Sequence, residues 1–149
     1  MKLAEALQQR ADLNIKISEL RHRLSFNLVV QEGEKPAEDP KDLINELNSS
    51  FEQLEQLIKK INLTNCNTLV DGKSLTEWIA EKDCLRTRID AYRDIVSKAS
   101  NLCGRMTRTE IKYLPTVDAR DIQKTVDTLS AKLRKVDNLI QQTNWSTDI

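Results

Sequence analysis

Carboxylates are the side chains of this sequence that group as a binding site would require. Glu32, Glu34, Glu38 and Asp39 fall in the run QEGEKPAEDP, and Glu110, Asp118 and Asp121 fall in TEIKYLPTVDARD. Oxygen ligands of this kind suit magnesium, calcium or manganese. If the two runs meet, Glu32, Glu34, Glu110 and Asp118 are the candidate ligands. A structural account competes for the same residues. Asp118 stands where a helix N-cap is needed, Asp121 would sit favourably in the first turn of that helix, and EGEKPAED reads as a solvated loop. This second account needs no convergence of distant segments and is preferred. Divalent-metal binding, or metal-dependent catalysis, at the acidic end is the alternative; no other cofactor is expected.

The remaining reactive side chains do not assemble by spacing. The single histidine, His22, lies between Arg21 and Arg23 beside an apolar helix stripe, with no nucleophile adjacent. The three cysteines, Cys66, Cys84 and Cys103, form no CxxC pair, and with one histidine they do not make a zinc ligand set. Cys103 falls on a core stripe, where a free cysteine behaves as a small apolar side chain, and Cys66 reads as part of a connector. There is no nucleophile–base pair, glycine-rich phosphate loop or metal-ligand helix motif. Catalysis is not expected.

Charge excludes further classes. The 149 residues carry 23 basic and 23 acidic side chains, so no net field steers the chain to nucleic acid or an anionic surface. Charge is nonetheless uneven along the chain. Residues 84 to 113 hold seven basic and three acidic groups, whereas residues 30 to 60 hold four basic and eight acidic. Arginines contacting phosphates would explain the first stretch alone. Pairing the basic stretch with the acidic one, between helices or between subunits, explains both and is preferred. No apolar run approaches the twenty residues that span a bilayer, and no signal peptide is recognised at the start, so a cytoplasmic protein is expected.

Four long helices must position these groups. Every glycine and proline falls into one of three places: VVQEGEKPAEDP, TLVDGKSL, and the stretch from Gly104 to Pro115. Three such breaks imply four helices. In the first, Leu3, Ala6, Leu13, Ile17, Leu20 and Leu24 recur at helical spacing. The second begins near Pro40 and carries Ile44, Leu47, Phe51, Leu54, Ile58 and Ile61, widened by Leu43 and Leu57. The third opens on a capping box, Ser74 to Glu77. It carries Trp78, Leu85, Ile89, Tyr92, Val96, Ala99 and Cys103, and Gly104 is placed to end it. The fourth follows Thr116 or Asp118 and carries Ile122, Val126, Leu129, Leu133, Val136 and Ile140 in a coiled-coil-like seam.

The expected fold is therefore all-α: one helical domain, residues 1–149, of four antiparallel helices with short β-ribbon segments in the connectors. Asn27–Glu32 and Glu110–Leu114 are both β-prone and are expected to pair as a ribbon. Asp71-Gly72 is the signal of a tight hairpin in the second connector. Trp145 is expected to dock and staple the tail that follows the fourth helix.

KLAEAL, VQEGEKPAEDP, DGKSLTEWIAEKD, RTEIKYLPTVD and the terminal NWSTDI together resemble an uncharacterised bacterial all-helical family, a domain of unknown function sometimes labelled septicolysin-like. The resemblance spans essentially the whole chain and implies no reaction, substrate or cofactor. The label suggests a pore-forming toxin, which the missing secretion signal and bilayer span argue against. The function expected is a cytosolic scaffold or interaction protein whose partner is a second copy of itself, because the wide stripe of the second helix and the strict seam of the fourth exceed what one four-helix core needs. A coiled-coil holdase chaperone is a further alternative.

Overall fold

The computed structural model describes residues 1–101 and 112–149. Among them run helices α1 (Leu3–Asn27), α2 (Pro40–Asn67), α3 (Leu75–Ser100) and α4 (Ala119–Ser146), with strands β1 (Leu69–Val70) and β2 (Lys73–Ser74) between α2 and α3. The chain divides into two compact units, Met1–Ser74 with Thr143–Ile149, and Leu75–Gln142.

In the first unit α1 and α2 form an antiparallel pair. Lys16 of α1 pairs with Glu46 of α2 at 2.9 Å, and further along α1 Arg23 pairs with Glu38, just before α2 begins. The α1 stripe is buried as its spacing requires: Leu3, Ala6, Leu13, Ile17, Leu20 and Leu24 are all inside. Leu20 and Leu24 cluster with Leu43, and Leu47 packs against them. At 25 cal/mol per Å², each such leucine contributes roughly 1.5–3 kcal/mol.

Local chemistry sets the ends of these elements. Glu5 accepts the backbone N–H of Lys2 at 2.7 Å and so starts α1. Asp39 accepts the N–H of Lys41 at 2.9 Å, with Pro40 filling the first position of α2, where no N–H is needed. The hairpin pairs Leu69 with Ser74 and Val70 with Lys73. Its two turn residues, Asp71 (φ 50°) and Gly72 (φ 80°), both lie in the left-handed region that a type I′ turn demands. α3 starts at Leu75, directly after Ser74.

The first connector does not form the expected ribbon. Residues 28–32 contain no strand, nor do residues 112–114; Glu110 and Ile111 lie outside the described residues. Local hydrogen bonds serve the first connector instead. Leu28 stays in the α region as the C-cap of α1, and Glu34 N–H donates to Gln31 O at 3.0 Å to close a turn that carries Gly33 at φ 86°. Beyond that turn, buried Asn27 accepts the N–H of Glu38 and ties the connector back to α1. Among the described residues the antiparallel ribbon is the Asp-Gly hairpin.

The C-terminal segment corrects a second expectation. α4 extends to Ser146, and Trp145 lies on its outer side, 62% exposed, while Thr143 and Asn144 are the buried residues of that turn. Backbone pairing holds the segment. Leu3 N–H donates to Thr147 O at 2.9 Å, Ile149 N–H to Met1 O at 3.0 Å, and Lys2 Nζ meets Asp148 at 3.0 Å.

In the second unit α3 and α4 lie antiparallel. Lys132 pairs with Glu81 at 2.8 Å, and Lys82 pairs with Asp137. Leu85 and Ile89 of α3 and Val126, Leu129 and Val136 of α4 are buried, so the α4 seam carries its inward face. Gly104 and Cys103 lie outside the described residues.

Candidate functional site

Glu32 and Glu34, two of the candidate metal ligands, sit exposed on the Gln31–Glu34 turn of the first unit. In the second unit Asp118 accepts the N–H of Arg120 at 2.9 Å and caps α4. Glu110 lies outside the described residues. Among their neighbours in sequence, Glu38 pairs with Arg23, Asp39 caps α2, and Asp121 approaches Lys124 at 3.9 Å. Among the described residues no group of three or more His, Cys, Asp or Glu side chains is placed to hold a metal ion.

His22 is exposed and packs edge-on against Phe26, ring centroids 4.8 Å apart. Cys66 is exposed in the last turn of α2, not in a connector, and Cys84 is exposed on α3.

Two surfaces carry more organisation than these groups. The first is the outer face of α2. Its core side is set by Leu43, Leu54, Leu57 and Ile61, all buried. One arc away, Ile44 is 42% exposed and Phe51 is 48% exposed, and Ile58 beyond them is half-buried. These three are seven residues apart, and two turns of helix bring each almost directly over the last. Asn48, Phe51, Glu52, Leu54, Glu55, Ile58 and Lys59 line a shallow depression there. Glu55 is held in its charged form by Lys59 one turn on, which pulls its carboxyl below the usual range. The stripe was legible in the sequence; its division into a buried and an exposed half was not.

The second surface is a groove of about 530 Å³ along α3 and α4, edged by Arg86, Arg93 and Arg134. No motif marks it, because its arginines come from two helices. Nearby, Lys82 holds the Asp137 carboxyl below its ordinary range by direct hydrogen bonding, and Arg86 adds a smaller charge effect in the same direction.

A family model described as "Family of unknown function (DUF6847)" matches residues 10–149. A crystal structure of a functionally unknown conserved protein from Corynebacterium diphtheriae superposes with a TM-score of 0.93 at 36% identity, covering 99% of this chain and 97% of that one. No curated protein matches the chain. Neither match carries the septicolysin-like label. No described helix is long and apolar enough to cross a membrane.

Proposed function

This chain belongs to the family of unknown function DUF6847, and we propose that it is a helical interaction protein that self-associates through the outer face of α2. The observation that carries the reading is the half-exposed Phe51 between Ile44 and Ile58, all on one line of a helix whose neighbouring arc is already buried. A phenylalanine side chain gains roughly 1.5–3 kcal/mol on full burial, so leaving its ring about half in water forgoes a sizeable part of that. Single exposed apolar residues are ordinary on protein surfaces. Three in register, flanked by Glu52, Glu55 and Lys59, form an apolar line with a polar rim, which is the anatomy of a docking surface.

Light scattering of purified protein across the micromolar range tests the reading. A mass that rises above one chain with concentration supports it. A constant mass of one chain, 17.1 kDa, overturns it.

A further inference from the structure

The α2 face needs a mate, and the groove of the second unit has the complementary chemistry. Its apolar surface is the half-buried Leu133, with Ile89 buried beneath. Its rim is cationic. Arg86 and Arg93 stand seven residues apart on α3, about 10 Å along the axis, and Arg134 faces the same groove from α4. Asp90 approaches Arg93 at 3.8 Å. Arg86 also acts on the Asp137 carboxyl, which Lys82 already pairs; among the described residues no carboxylate pairs with Arg134.

We propose that this arginine groove receives the outer face of α2 from a second copy of the chain. The proposal rests on the self-association argued above and identifies the surface that meets α2. Charge complementarity selects the occupant. The first unit carries ten basic and thirteen acidic residues, a net −3, and the second carries thirteen basic and ten acidic, a net +3. Neutral overall, the chain thus offers a second copy an acidic unit for its basic one.

The same charges argue against α2 meeting α2. An antiparallel pairing centred on Phe51 would set the Glu52 side chains of the two copies beside each other, and like charges so placed are destabilising. In the arginine groove Glu52 and Glu55 meet guanidinium groups instead. The exposed ring of Phe51 also gives a guanidinium a face to stack on. Phe51 and Ile58 would then lie against Leu133.

Charge reversal on each side, followed by mixing, tests the assignment. The variants are Arg86→Glu/Arg134→Glu and Glu52→Lys/Glu55→Lys, with circular dichroism confirming that each remains helical. Sedimentation should show wild-type association weakened about tenfold or more in either variant alone. An equimolar mixture of the two should recover a complex containing both. Added salt should weaken the wild-type assembly. Wild-type protein that assembles while Arg86→Glu/Arg134→Glu assembles equally well overturns the groove and leaves self-association standing. Wild-type protein that never exceeds one chain overturns both.

Discussion

Asn27 Oδ1 accepts the backbone N–H of Glu38 at 3.0 Å, across eleven residues of chain. The amide nitrogen of the same side chain donates to Arg23 O at 2.8 Å, and the Arg23 guanidinium in turn grips the Glu38 carboxylate. One buried side chain thus links the last turn of α1 to the entry of α2 and sets the path of the acidic connector between them.

Asn27→Ala removes the acceptor and leaves the partly buried Glu38 N–H unpaired. The expected cost is roughly 1–3 kcal/mol, read as a lower urea midpoint with an unchanged slope. Asn14→Ala, which removes an exposed side chain bonded only to its own helix, should be nearly neutral. Equal midpoints for Asn27→Ala and wild type would show that the connector does not depend on this bond.

Acid should destabilise the protein through its paired carboxylates. Hydrogen bonding from Lys82 lowers Asp137, and hydrogen bonding from Arg23 lowers Glu38. A carboxyl whose pKa is lower in the folded state contributes stability that is present above the unfolded pKa and lost as pH falls through the folded one. The Tm should therefore drop as pH falls below the ordinary carboxylate range. Lys82 is the better shielded of the two cations, with 16% of its side chain exposed against 45% for Arg23. Asp137→Asn should accordingly flatten the acid limb more than Glu38→Gln. The reverse order in thermal melts across the acid range would contradict this ranking.

Trp145→Ala should change stability by less than about 0.5 kcal/mol, as expected for a surface substitution, because the ring is largely in water. Leu20→Ala, at a position 1% exposed among Leu24 and Leu43, should cost roughly 2–5 kcal/mol. Chemical denaturation of the two variants side by side decides the point. A loss of 2 kcal/mol or more in Trp145→Ala would restore the stapling role that the sequence suggests.

Periodicity made the helices and most inward faces readable. Each residue of the α1 stripe from Leu3 to Leu24 is buried, and Val126, Leu129, Val136 and Ile140 on α4 are buried as their spacing requires. Asp71-Gly72 announced its hairpin because few residue pairs tolerate two left-handed conformations in succession. Periodicity gives the direction of a face but not its width. On α2 it grouped Ile44 and Phe51 with Leu43 and Leu57, and only the latter pair is buried. β-propensity misled at Leu28–Val30 for a different reason. The Asn27–Glu38 bond and the Gly33 turn fold that connector on itself, and neither has a periodic signature. Of the candidate acidic site, composition and the cap were legible: Asp118 caps α4, Glu32 and Glu34 lie on an exposed turn, and Glu110 lies outside the described residues.

The most direct test of the central claim is sedimentation velocity on Ile44→Glu/Phe51→Glu beside the wild type. Both side chains are half in water, so the double variant should keep the wild-type helix content and melt within a few degrees of it. This variant should sediment as a single chain at concentrations where the wild type is larger. Equal sedimentation of an assembled wild type and the double variant would contradict it, because the outer face of α2 would then not be the contact.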